Sequence, residues 1–163
     1  MFLPKKFSHL NQDGQVQIVN ITSKDATHRI AVAKSRINMS SEAYELLTHP
    51  EKNNKGEVLN TARIAAIQAA KRCSDLIPLC HSLPINFIDI KFQLNNEMHS
   101  IEVISQCETN YKTGVEMEAM MACSIAALTI YDMCKSEDKA IIIEDIRLIK
   151  KIGGKSGNWS CES

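Results

Sequence analysis

With 163 residues, 44% of them apolar and 23% charged, the chain is long enough to bury one substantial core and short for two. Its 19 basic and 19 acidic side chains cancel, so no global charge draws it to nucleic acid or to an anionic membrane, although a local basic pocket remains open to it. The same neutrality leaves self-association unopposed.

Residues 1–15 are polar, carry Pro4 and an Asn11–Gly14 turn signal, and contain no apolar run of signal-peptide length; they read as a loose N-terminal arm. Residues 16–157 read as a single domain and 158–163 as a flexible tail. Within the domain "VQIVNI" (16–21) alternates weakly and is a short strand candidate. "HRIAVAKSRINM" (28–39) alternates better, with Ile30, Val32 and Lys34 on one face and Arg29, Ala31 and Ala33 on the other, which predicts a strand. "SSEAYELLTH" (40–49) opens with a serine cap and an acidic residue, and a helix follows until Pro50. A second helix is predicted over 57–77, alanine-rich at helical spacing and stopped by Pro78.

Two alternating runs, 84–94 and 100–109, flank "NNEMH" and read as a β-hairpin. "GVEMEAMMACSIAALTIYDMCK" (114–135) is a long helix that is apolar nearly all the way round, so one face should cover a sheet and the opposite face meet another subunit. "AIIIEDIRLIK" (140–150) is a last strand. From residue 28 onward the order is β-α-β-β-α-β, the ferredoxin-like arrangement of an α+β protein: an antiparallel sheet with its helices on one face, here with an extra N-terminal strand.

Six cysteines at 73, 80, 107, 123, 134 and 161 form no CxxC pair and fall largely in apolar-periodic segments. That pattern predicts reduced, mostly buried thiols of a cytoplasmic protein, and its spacing does not point to zinc; no metal ligands are assigned. No segment reaches the ~18 apolar residues of a membrane span.

Several residues have more than one reading at this level. Asp132 and Lys135 share a helix face near its C-terminal end, as an ordinary ion pair or as a general acid/base carboxylate beside an ammonium. Glu116 stands sixteen positions earlier, about 24 Å along the helix at ~1.5 Å per residue, so the two acids meet on one small ligand only across a subunit boundary. Glu116 and Glu118 also suit the positive N-terminal end of a helix without any chemistry. Lys55, ahead of Gly56 and a helix, is an anion-site candidate or a solvated loop lysine. The tail "KKIGGKSG" (150–157) lacks the glycine a P-loop needs at 149, where Ile149 stands, leaving a basic flap or a frayed end. Cys80 and His81 are adjacent in an extended segment, so their side chains point apart and do not form a nucleophile–base pair.

"KGEVLNTARIAAIQAAKRCSDLIPLCHSL", "TGVEMEAMMACSIAALTIYDMCK" and the closing "GGKSG" together closely resemble the cyclic pyranopterin monophosphate synthase family, the molybdenum-cofactor biosynthesis protein C family, from about Ser8 to Gly157. The resemblance implies a hexamer, a trimer of dimers, with active sites at subunit interfaces. It also implies a small nucleotide-derived substrate, 3′,8-cyclo-7,8-dihydroguanosine 5′-triphosphate, converted with loss of diphosphate. No resident cofactor, nucleic acid or membrane is implied, and Mg²⁺ accompanying the triphosphate is left open. On matched motif positions, Asp132 is the leading acid/base catalyst with Lys135 beside it, and Lys55, Lys151, His81 and Glu116 complete the catalytic set. Leu79, Cys80, His81, Met117, Glu118, Arg29 and Lys155 are the implied substrate contacts. Two positions depart from the family pattern: Asn20 where aspartate is usual, and Ser82 where proline usually follows the histidine.

The competing reading is a non-catalytic ferredoxin-like module whose lysines bind an anionic metabolite. RNA binding on the sheet would need aromatic platforms, and 5% aromatics with neutral charge argues against it.

Overall fold

The computed structural model describes residues 7–49, 58–155 and 157–161. Its elements in chain order are β1 (Thr27–Asn38), α1 (Ser41–Thr48), α2 (Val58–Lys71), α3 (Cys73–Leu76), β2 (Phe87–Asn95), β3 (Ser100–Tyr111), α4 (Glu116–Cys134), β4 (Ile142–Ile152) and β5 (Trp159–Ser160). The sheet runs β2-β3-β1-β4-β5, every neighbouring pair antiparallel. Leaving β5 aside, a β-α-β-β-α-β chain whose first strand sits between its third and fourth is the ferredoxin-like α+β arrangement.

Alternation in the sequence decides the strands, and side-chain size decides which face is buried. In β1 the buried residues are Ala31, Ala33, Ser35 and Ile37, while the bulkier Ile30, Val32, Lys34 and Arg36 face away from the core and are partly exposed. The small set is inside because α4 lies close against it. Ser35 Oγ donates to the Cys123 carbonyl at 3.1 Å, and Ser105 Oγ of β3 donates to the Ala119 carbonyl. On the helix side Ala119, Ala122, Ala126 and Ala127 are fully buried, so backbone meets backbone with few large side chains between.

α4 also packs along α2, whose Ala62 and Ala66 are fully buried. That contact accounts for part of its all-round apolar character, and the same character makes it long and apolar enough to cross a bilayer by length and composition alone. Here its apolar residues are instead spent on α2 and the sheet. The face left over carries Met117 and Leu128 exposed, with Met121 and Ile125 half-buried between them.

Two sequence expectations need correction. The N-terminal strand at 16–21 does not form: the segment pairs with no strand of the sheet and makes one isolated bridge, Leu10 to Val16. Its polar backbone is satisfied in loops instead, Gln17 N–H donating to the His9 carbonyl at 2.9 Å. The fifth strand comes from the other end, where Trp159–Ser160 pairs with Lys150 and Lys151 and Cys161 N–H donates to the Ile149 carbonyl at 2.9 Å. Trp159 and Ser160, within the stretch expected to be a tail, thus pair with the sheet. The helix expected over 57–77 is interrupted at Arg72, which leaves helical geometry at φ −109° and ψ 15° and separates α2 from the four-residue α3.

Candidate active site

Two cavities meet at the end of the sheet where α4 begins. The smaller, about 290 Å³, is walled by Leu79, Cys80, His81 and Leu83 from the loop after α3 and by Thr113, Gly114, Glu116, Met117 and Glu118 at the start of α4. Ser8 and His9 from the N-terminal arm, with Val19 and Lys24 from the segment before β1, close it. The larger, about 860 Å³, is lined by Ser23, Lys24, Asp25, Thr27, Arg29, Gly154 and Lys155. Lys24 lines both, so an acidic, histidine-bearing cavity and a cation-lined one adjoin at that side chain.

Each side chain is held by local structure. Lys151 lies opposite Ala31 in the β1–β4 register, and so projects on the helix side of the sheet, where its Nζ meets Glu116 Oε1 at 3.2 Å. Both are about two-thirds to three-quarters covered, with 26% and 33% of their side chains accessible, so this pair is shielded more than a surface salt bridge. Gly114 makes room for it: a Cβ there would overlap the Glu116 carboxylate, which lies folded back across the glycine. Gly114→Ala is thus expected to push Glu116 off Lys151 and lower kcat by about 10- to 100-fold, since small misplacements of reacting groups cost that much. Its melting temperature should barely change, because the displaced atoms are the free end of a flexible side chain. Steady-state kinetics beside a thermal melt checks both parts.

Glu118, one position beyond Met117, is buried to 2% exposure. Burial raises its carboxyl above the usual range, the dominant influence on it, so it holds its proton to higher pH than an ordinary glutamate. Cys80 donates its thiol to Glu118 Oε1 at 3.5 Å and is itself pushed up to about 11, first by burial and then by the Glu118 charge. Such a thiol is not a nucleophile at neutral pH. Cys73, buried at the start of α3, stands 4.0 Å from Cys80 sulfur to sulfur and is also raised by burial. His81 Nε2 lies 2.8 Å from the Val19 carbonyl, which ties the segment before β1 to the cavity wall. Cys80 and His81 do engage different partners, as adjacent residues should, yet a turn at 78–79 leaves both on the cavity wall.

At the cationic end, Arg29 Nε donates to the Tyr111 carbonyl at 2.9 Å and Nη2 to the Lys112 carbonyl at 3.3 Å. These bonds fix the guanidinium beside Gly154, where a Cβ would collide with Arg29 Nη1 and where φ is +76°. Lys112 Nζ donates to the Thr22 carbonyl at 2.8 Å and so holds the loop that carries Lys24. Asn20 Oδ1 accepts from Thr22 N–H at 2.9 Å in that same loop, a turn bond that aspartate would make equally well. Ser82, the other atypical position, is exposed.

Asp132 and Lys135 lie elsewhere. Their 2.6 Å ion pair sits near the far end of α4, with 71% and 55% of the side chains accessible, and neither residue lines the two cavities. The Asp132 carboxylate, by hydrogen bond and charge, holds Lys135 above its usual pKa. Lys55 falls outside the described residues. Within one chain, then, Arg29, Leu79, Cys80, His81, Glu116, Met117, Glu118, Lys151 and Lys155 gather at one end, and Asp132 and Lys135 do not join them. Lys24, Ser8, His9 and Thr113 were not foreseen from the sequence; they lie on irregular segments with no periodicity or spacing to mark them.

A family model described as the MoaC family matches residues 18–154. The chain is similar to a protein of Bordetella pertussis named cyclic pyranopterin monophosphate synthase, 59% identical over 152 residues, covering 93% of this chain and 94% of the relative. A protein of the same name from Bordetella petrii is also 59% identical over 152 residues, 93% of each chain. One from Peptoclostridium acidaminophilum is 47% identical over 158 residues, covering 97% of this chain and 99% of the relative.

Proposed function

The chain belongs to the MoaC family, and from that premise we propose that it converts 3′,8-cyclo-7,8-dihydroguanosine 5′-triphosphate to cyclic pyranopterin monophosphate and diphosphate. It is a cyclic pyranopterin monophosphate synthase with a role in molybdenum cofactor biosynthesis. The observation that carries the reading is the adjacency of a proton-handling cavity and a cation-lined one at Lys24.

The reaction needs both ends. A guanine-derived ring opens and recloses onto the sugar carbons, which calls for groups that give and take protons. A sugar hydroxyl attacks the innermost phosphorus, its proton leaves to a base, and the bond to the β-phosphate oxygen breaks as diphosphate departs. Lys24, Arg29 and Lys155 suit the triphosphate, with Lys55 the further lysine expected there. Glu118, protonated more readily than an ordinary carboxylate, is suited to donate a proton to a ring nitrogen. Lys151 and Glu116 form a shielded couple able to pass one, Leu79 and Met117 give apolar walls, and His81 borders the pocket. Mg²⁺ would enter, if at all, with the phosphates.

Asp132, the leading acid/base, reaches this cavity only from another copy. Met117, Met121, Ile125, Leu128 and Asp132 recur at three- and four-residue steps along the uncovered side of α4, apolar until the stripe ends on Asp132. Two such faces packed antiparallel about a two-fold axis would bring the Asp132 and Lys135 of one copy over the Glu116 end of the other. This supports a site shared between subunits of a homo-oligomer, a hexamer of three dimers in the cytoplasm. Incubating the purified chain with the cyclised triphosphate should release diphosphate and yield a pterin that fluoresces after oxidation. Binding without product would overturn the enzyme in favour of a metabolite-binding module.

A further inference from the structure

Behind the cavity wall three groups from different segments converge. Cys73 opens α3, Cys80 follows it in the loop, and Glu118 stands in the first turn of α4; their donor atoms all lie within 4.8 Å of one another. A tetrahedral zinc ion, at about 2.3 Å from sulfur and about 2.1 Å from carboxylate oxygen, would separate two thiolates by about 3.8 Å and sulfur from oxygen by about 3.6 Å. The observed separations are 4.0 Å between the Cys73 and Cys80 sulfurs and 3.5 Å from Cys80 Sγ to Glu118 Oε1. Two edges of the coordination polyhedron are thus already near their length.

Hydrogen bonding among thiols could produce such spacings without a metal, but it does not explain the second oxygen of Glu118. Glu118 is 2% exposed, and its Oε2 is buried with no hydrogen-bond partner among the described residues. Buried carboxylate oxygens are ordinarily satisfied, and one beside two thiols lacks a cation or a donor. We propose that Cys73, Cys80 and Glu118 form a binding site for a thiophilic divalent cation of the Zn²⁺ type, with a fourth coordination position open to the cavity.

Access runs through the cavity itself, because Cys80 and Glu118 line it while Cys73 closes the site from the core. His81 is not counted as a fourth ligand, since neither of its ring nitrogens joins the converging donor atoms, and the open position is left to water or a ligand oxygen. Loading displaces the thiol protons of Cys73 and Cys80 to solvent and involves no oxidation. The site stands whether or not the synthase assignment does. If both hold, a bound ion occupies two groups proposed to contact substrate, and Zn²⁺ should then compete with substrate.

The test is a Co²⁺ titration of the full-length, reduced, metal-stripped protein, followed by absorbance and reversed with Zn²⁺. One equivalent per chain should give thiolate-to-cobalt charge-transfer absorption with tetrahedral d–d bands. Cys73→Ala should weaken that binding by more than about 100-fold, since losing a ligand outweighs losing one of its outer partners. Should Cys73→Ala not fold by circular dichroism, Cys73→Ser carries the same prediction with less change in volume. Glu118→Gln should keep the charge-transfer band and lower affinity. Cobalt bound without thiolate bands, or an unchanged spectrum and affinity in the Cys73 variant, overturns the proposal.

Discussion

Asp132→Asn should lower turnover of the cyclised triphosphate by about 10²- to 10⁴-fold, the range over which a positioned general acid or base contributes. Stability should hardly register the change. Asp132 is 71% exposed, and its ion-pair partner among the described residues is Lys135, itself on the surface, where such pairs contribute little. Asparagine keeps the shape and still accepts a hydrogen bond, so α4 and any packing along it should persist. The decisive comparison is kcat against melting temperature and oligomeric mass. A loss of kcat with the other two unchanged assigns Asp132 to chemistry; full wild-type turnover removes it. Parallel loss of all three would make it a structural residue of the interface instead. The contrast with Gly114→Ala is informative, because that change acts on the site from within one chain.

Much of this arrangement was legible in the sequence, and the parts that were not share a physical cause. The period-two pattern of 28–39 and of the 84–109 hairpin specifies strands because a half-buried sheet imposes that period on any sequence. It could not say which face of β1 is buried. That depends on how closely α4 approaches, and the answer, Ala31, Ala33 and Ser35 inside with Ile30 and Val32 outside, runs against hydrophobicity alone. Residues 16–21 alternate too, but a strand needs a neighbour, and pairing is not a local property.

The site divides along the same line. His81, Glu116 and Glu118 stand out as polar groups in apolar surroundings, so they draw notice in one dimension. Cys73 does not: its approach to Cys80 depends on the chain leaving helical geometry at Arg72, and its approach to Glu118 depends on where α4 begins. Spacing rules for metal ligands assume that neighbouring ligands are close in sequence, whereas here the third comes from a different helix. The separation of Asp132 from Glu116 was foreseen because rise per residue along a helix is fixed by geometry.

That separation leads to the second large effect. Lys151→Met and Asp132→Asn should each be nearly inactive alone, and mixing them in equal amounts should restore about a quarter of wild-type activity if each site draws Lys151 from one copy and Asp132 from another. The fraction follows from random assortment: half of the chains supply an intact Lys151 and half an intact Asp132, and the two choices are independent. Every restored site is matched by one carrying both lesions, so activity should plateau there and fall on either side of the equal mixture. Exchange must be shown separately, for instance by native mass of a tagged and an untagged variant. With exchange demonstrated, no recovery means that both residues act within one chain. The 2.6 Å pair at the end of α4 and the Lys151–Glu116 pair at its start would then have to serve different sites. Recovery to the expected fraction instead makes the exposed stripe of α4 the surface that completes the pocket, and it explains why a catalytic carboxylate stands so open on a single chain.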